Sequence, residues 1–180
     1  MYVQIENTPN PNALKFMPGK TVSKNGQMEI TKKEDTNNGL VRSLLSINGV
    51  TGIFLGSDFL SVNKEENKNW EDIKHIVISL INEHYSNGKE FVIDKDYNEK
   101  NNSDLADIEQ KIIKILDTKI RPAVAKDGGD IKFREFKDGI VKVELQGSCS
   151  GCPSSTMTLK QGVQNLLCHY LPEVKEVVAI

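Results

Sequence analysis

Apolar and polar residues alternate at Val3 and Ile5, and again at Leu14 and Phe16, a period of two that predicts a pair of strands. The segment between them, Thr8-Pro9-Asn10-Pro11-Asn12, is too dense in proline for regular structure and reads as a turn. Pro18-Gly19 is another turn. Lys24-Asn25-Gly26 reads as a hairpin turn ahead of a weak strand near Met28 and Ile30, and Lys32 to Asn38 is a polar loop. The period then lengthens. Leu40, Val41, Leu44, Leu45 and Ile47 give a short helix with one apolar face, ended by Asn48-Gly49. Val50 to Leu55 and Phe59 to Val62 form a hairpin across Gly56-Ser57-Asp58. Trp70, Ile73, Ile76, Val77, Leu80, Ile81 and Tyr85 recur at helical steps and form a core-facing stripe, with Asn69 as cap and Glu71 and Asp72 in the first turn. Phe91 to Ile93 adds a short strand.

Asp94 to Asp104 is polar, lacks periodicity and reads as a linker. A second apolar pattern follows. Leu105, Ile108, Ile112, Ile115, Leu116 and Ile120 mark a helix that Pro122 should kink or restart, with a further turn over Ala123 to Lys126. Asp127-Gly128-Gly129-Asp130 is a sharp turn. Ile131, Phe133 and Glu135 share one side of a strand that turns at Asp138-Gly139, and Val141, Val143 and Leu145 line the returning strand. Leu159, Val163, Leu166, Leu167 and Tyr170 make a helix face, and Val174 to Ile180 a last strand. The expected fold class is α+β in two small domains, residues 1–96 and 105–180, joined by a linker at 97–104. The second domain runs α-β-β-α-β, with its helices packed on a three-stranded sheet.

Composition narrows the function. Of 180 residues, 27% are charged and 38% hydrophobic, and the net charge is −2. Acids and bases are near balance in both halves, without the basic excess of a nucleic-acid binder. No apolar run approaches the ~20 residues of a membrane span. Met1-Tyr2-Val3-Gln4-Ile5-Glu6 has neither secretory nor transit-peptide character. The expected location is a bacterial-type cytoplasm, or the mitochondrial matrix if a transit peptide has been removed. The cysteines number three, an odd count that argues against a disulfide framework.

Two of those cysteines lie in Gly147-Ser148-Cys149-Ser150-Gly151-Cys152-Pro153-Ser154-Ser155, between the strand ending near Leu145 and the helix from Ser155. A helix N-terminus carries partial positive charge and unpaired amides, which favour thiolate, the form that attacks and binds metals. Gly147 and Gly151 let backbone amides approach a bound group, and Pro153 suits the first helical position. An iron–sulfur cluster, a zinc site and a redox dithiol all fit such a loop.

A cluster or a structural zinc takes four protein ligands. Cys168 and His169 could complete the set on spacing alone. However, nearly all the residues from Cys152 to Cys168 lie in the predicted helix, a separation of roughly 20–24 Å that one ion cannot bridge. Only a break at Gly162 would change this. Cys168 is therefore read as a small residue near the core, and His75 and His84 as structural histidines. One chain supplies Cys149 and Cys152, and two copies related by a twofold supply four thiols. A cluster held between two copies, exposed and lost when the pair parts, suits a carrier.

The cysteine stretch, together with Arg121-Pro122-Ala123-Val124-Ala125-Lys126-Asp127-Gly128-Gly129-Asp130, closely resembles the C-terminal domain of the NifU-like (Nfu) iron–sulfur scaffold proteins. Thr8-Pro9-Asn10-Pro11-Asn12-Ala13-Leu14-Lys15-Phe16-Met17-Pro18-Gly19 and Gly49-Val50-Thr51-Gly52-Ile53-Phe54-Leu55-Gly56-Ser57-Asp58-Phe59 resemble the N-terminal domain of the two-domain members. The resemblance implies a 4Fe–4S cluster bound through Cys149 and Cys152 across a homodimer. It also implies upstream assembly machinery and delivery to apo 4Fe–4S proteins, with no enzymatic reaction and no catalytic residue.

Other residues admit simpler readings. Asp127 and Asp130 could form a cation site, but two acids around a double glycine read better as a tight turn. Ser148 and Ser150 could donate to cluster sulfur or be plain loop residues, and Arg121 reads as a solvated helix end. The alternatives to a carrier are a thiol–disulfide oxidoreductase, which lacks its usual βαβ context here, and a structural zinc module, which lacks ligands within reach.

Overall fold

The computed structural model describes residues 2–24, 26–93, 106–150 and 153–180, with the backbone alone at 153–155. Asn25, Leu105, Cys152 and the linker expected at 97–104 lie outside the described residues. By internal contacts the chain divides into two units, Met1–Tyr97 and Asn98–Ile180.

In the first unit the alternating segments become β1 (Gln4–Asn7), β2 (Ala13–Met17), β3 (Met28–Ile30), β4 (Val50–Leu55) and β5 (Leu60–Lys64). They form an antiparallel sheet in the order β1-β2-β5-β4-β3. The proline-dense connection is held by its own polar groups. The Thr8 hydroxyl reaches the carbonyls of Asn10 (2.8 Å) and Ala13 (2.9 Å), and the Asn12 N–H donates to Asn10 Oδ1 at 2.9 Å. The hairpin expected at Lys24–Gly26 gives way to a longer-range pairing. β3 joins β4, placing Ile30 opposite the buried Ile53. The strand expected at Phe91 to Ile93 is a single parallel bridge between Ser23 and Ile93.

Helices α1 (Gly39–Leu45) and α2 (Trp70–Ser86) bury Leu40, Val41, Leu44 and Leu45, and Ile73, Val77, Ile81 and Tyr85. The α2 stripe is a strict four-residue ladder, which leaves Ile76 46% exposed rather than core-facing as expected. Asn69 caps α2 by accepting from Glu71 N–H at 3.2 Å. Asn38 caps α1 by accepting from Val41 N–H at 3.0 Å, and its amide nitrogen donates to the Val92 carbonyl. Asn38→Ala removes both bonds and should cost about 1–2 kcal/mol. The readout is the urea midpoint of the fluorescence of Trp70, the only tryptophan.

In the second unit α3 (Asp107–Ile115) runs through a wide turn, Leu116–Ile120, into α4 (Arg121–Lys126). Pro122 lacks the N–H that Thr118 would receive, and its ring crowds that carbonyl. The helix widens there, with Arg121 N–H bonding to the Leu116 carbonyl, and then restarts. Strands β6 (Gly129–Lys137), β7 (Ile140–Gly147) and β8 (Glu176–Ala179) form a sheet in that order, β6 antiparallel and β8 parallel to β7. Helix α5 (Pro153–Tyr170) makes the crossover, so β7-α5-β8 is a βαβ unit, and the context expected to be lacking beside the cysteine pair is present. Asp138 and Gly139 turn the β6–β7 hairpin with φ of 53° and 80°, both in the left-handed region that a two-residue hairpin turn needs.

A bulge between Phe133 and Glu135 shifts the register, so Phe136, not Glu135, pairs with buried Val141. Among the described side chains of α5 the buried ones are Val163 and Leu167, and Leu171 follows the helix into the core. Tyr170, expected on the apolar face, is 48% exposed.

Candidate metal-binding thiol loop

The β6–β7 ladder aligns two further glycine turns of the second unit, at the end away from Gly139. Gly128, at φ 81°, turns the chain from α4 into β6, and Gly147, at φ 65°, turns it out of β7. Gly129 and Gly147 are partners in the ladder. The residues after Gly147 therefore run alongside the Asp127–Gly129 turn. Ser148 N–H donates to the Gly128 carbonyl at 3.3 Å, and its buried hydroxyl donates to the Asp127 carbonyl. Ser150 Oγ donates to the Gly147 carbonyl at 2.9 Å. Ser150, expected as a possible donor to cluster sulfur, thus turns its hydroxyl to backbone, whereas the Ser148 hydroxyl also reaches the Cys149 sulfur. Thr156, in the first turns of α5, donates to the Cys149 carbonyl at 3.2 Å.

Cys149 stands where the sequence puts it, between β7 and α5, but its side chain is only 8% exposed and packs with the apolar core of the unit. Cys152 lies outside the described residues. The expected stabilisation of thiolate at Cys149 is overturned. Burial pushes its thiol up to about 11, Ser148 pulls partly back, and the carboxylates of Asp127 and Asp130 add to the rise. At pH 7 the folded thiol therefore keeps its proton.

The folded thiol keeps its proton from its ordinary 9.0 up to about 11, so the folded state binds the extra proton in that window. This contribution to stability is intact below pH 9 and falls as pH rises toward 11. Wild type should lose about 2 kcal/mol more than Cys149→Ala across that window in urea titrations monitored by circular dichroism.

Arg121 is not a solvated helix end. Its Nε and Nη2 donate to Asp130 Oδ1 and Oδ2 at 2.9 and 3.0 Å, and its Nη1 donates to Asp117 Oδ1 at 3.0 Å. The Asp130 side chain is fully buried and that of Arg121 is 25% exposed. Burial opposes the guanidinium charge, but the bonds and charges of Asp130 and then Asp117 outweigh it and hold its proton beyond the ordinary arginine range. Asp130 is therefore a structural anchor at the start of β6 and not half of a cation site with Asp127. Neither this clamp nor the close packing of Gly129 under Cys149 was read from the sequence. The Arg-Pro pair nine residues before Asp130 was the available signal.

Helix α5 continues through Gly162 without a break. Cys168 sits near its end, where its thiol approaches the Val174 carbonyl at 3.2 Å and packs against the core. His84 bonds the Phe91 carbonyl at 3.0 Å, a structural role as expected.

Residues 112–178 match the family model of the NifU-like domain, and residues 3–88 match that of the scaffold protein Nfu/NifU N terminal. A human protein named NFU1 iron-sulfur cluster scaffold homolog, mitochondrial, is 42% identical over 180 residues, covering 98% of this chain and 71% of its own. The chain belongs to the Nfu/NifU scaffold family.

Other family members show the same span. NifU-like protein 4, mitochondrial, of Arabidopsis thaliana is 38% identical, covering 98% of this chain and 65% of its own. The NFU1 homolog of Drosophila ananassae is 41% identical, covering 98% and 63%. The chain thus spans 63% to 71% of the length of these three relatives. All three are named as mitochondrial, which agrees with the matrix alternative and lends no support to a bacterial-type cytoplasm. The two-domain Nfu architecture expected from the motifs is the one the family models match.

Proposed function

We propose that this chain is an iron–sulfur cluster carrier. Two copies hold one 4Fe–4S cluster through Cys149 and Cys152 of each, and the pair passes it to apo iron–sulfur proteins. The cluster comes from an upstream assembly system. It is cargo, so the protein binds and releases it and catalyses no reaction. The cysteines lie in residues 105–180, and the domain at 1–96 contains none. Following the relatives, the compartment we assign is the mitochondrion.

The observation that carries this reading is the spread of the thiols. Cys149 precedes α5, and Cys168 lies on its fifth turn, about 22 Å from Pro153 along an unbroken axis. By sequence a single chain therefore offers two neighbouring thiols, Cys149 and Cys152, half of what a cluster takes. Soft thiolate sulfur is the donor that iron in such clusters prefers. The same distance weighs against a structural zinc module. The relatives named as iron–sulfur cluster scaffolds weigh against a thiol–disulfide oxidoreductase.

Anaerobic loading with iron and sulfide, followed by sizing, tests the proposal. The expected product is brown, with a dimer fraction that rises in step with cluster content. A monomer carrying a complete cluster would refute the bridged arrangement. One zinc per chain after purification without oxygen would point instead to the zinc module.

A further inference from the structure

A thiol that must bind an external inorganic group is placed unexpectedly here. Cys149 is folded inward, and the space it occupies is defined by one residue. A Cβ added at Gly129 would lie 2.6 Å from Cys149 Sγ, 2.7 Å from the Gln146 carbonyl oxygen and 3.1 Å from Cys149 N. The neighbouring Gly128 needs glycine for its positive φ, but Gly129 has no such φ. Room, not conformation, is what glycine supplies at 129. One wall, the Gln146 carbonyl, is ladder backbone beside the Gly129–Gly147 pair and cannot move aside cheaply, and the others are atoms of Cys149 itself. The space over Gly129 is taken up by the Cys149 sulfur.

We propose that Gly129 is a positioning residue of the cluster site: the space over its Cα seats the Cys149 thiol when no cluster is held, and cluster capture draws the thiol out. The second half of this proposal rests on the carrier reading above. The seated loop is tied from both sides, by Ser148 to Asp127 and Gly128 and by Thr156 to the Cys149 carbonyl. The left-handed Gly147 is the pivot between the ladder and the loop. Withdrawal shields the free thiol from oxidants and stray metals. It also gives the departing cluster a competitor, because the released sulfur regains an apolar site.

The test is pulse alkylation of the full-length, metal-free, reduced protein with iodoacetamide, reading each cysteine by peptide mass spectrometry. Each rate is divided by that of the same thiol in denaturant. Cys149 is expected to be protected at least ~10-fold more than the half-buried Cys168. Gly129→Ala fills the seat and should raise the Cys149 rate at least ~10-fold while the Cys168 rate, which reports folding, stays fixed. Thr156→Val removes one tether without crowding the strand, so it decides the matter even if Gly129→Ala does not fold. It should raise the Cys149 rate severalfold. A wild-type Cys149 that labels as fast as Cys168 overturns the proposal, as does a Cys149 rate unmoved in every variant that folds. Iron and sulfide uptake by the same samples separates the two readings. Uptake with an unprotected Cys149 overturns the seat and leaves the carrier. A protected Cys149 without uptake overturns the carrier and leaves the seat.

Discussion

Cys149→Ala and Cys152→Ala are each expected to abolish retention of a cluster after anaerobic loading, whereas Cys168→Ala should load like the parent. Removing one thiol per chain leaves a symmetric pair with two anchors, and a cluster exposed to solvent on two anchors dissociates. Cys168 has a different task. It fills space beside the core at the far end of α5, and its thiol points to the carbonyls of Val174 (3.2 Å) and Lys175 (3.8 Å). Its loss should cost about 1 kcal/mol or less of stability and nothing in iron content. Iron and sulfide per chain, with the visible absorbance of the loaded protein, measure all three variants. Full loading of either of the first two would end the assignment of both ligands.

Arg121→Gln should destabilise the second unit by about 3 kcal/mol. The substitution leaves the fully buried Asp130 carboxylate without the bidentate partner that compensates its desolvation, and it also breaks the contact with Asp117. Arg121→Lys keeps the charge but cannot make the paired bonds, so it should recover only part of the loss. Asp130→Asn combined with Arg121→Gln removes both charges and should be milder than the sum of the single variants. Trp70 lies in α2 of the first unit, so its fluorescence should unfold at the wild-type midpoint in all of these proteins. The circular dichroism transition of the second unit should move. An unchanged second transition would show that the clamp contributes nothing. Gly129 adjoins Asp130, so loosening this anchor should also weaken cluster loading.

The sequence was most informative where a local rule acts on consecutive residues. The recurrence at three- and four-residue steps from Trp70 to Tyr85 became α2, Asp138-Gly139 became the hairpin turn, and Pro122 forced the break before α4. Errors arose where a partner distant in sequence decides the outcome. β3 pairs with β4 instead of turning back on its own neighbours, because the apolar edge at Ile53 lies there. The bulge after Phe133 exchanges Glu135 for Phe136 on the inner face, which strict alternation cannot foresee. Tyr170 is helical as expected but beyond the reach of the core.

By itself the sequence determined the α+β class, most of the elements, the family and the position of the cysteine loop between strand and helix. All of these follow from short-range periodicity, turn chemistry and contiguous motifs. Only the tertiary structure decided the state of the loop. Arg121 reaches across to Asp130, Gly129 comes to lie under Cys149, and the thiol enters the core with its proton held. The last two depend on the β6–β7 register, which pairs residues up to eighteen positions apart in the chain. The physical reason is desolvation. A helix N-terminus favours thiolate when the sulfur is in water, but packing removed that water, and no pattern of neighbouring residues records it.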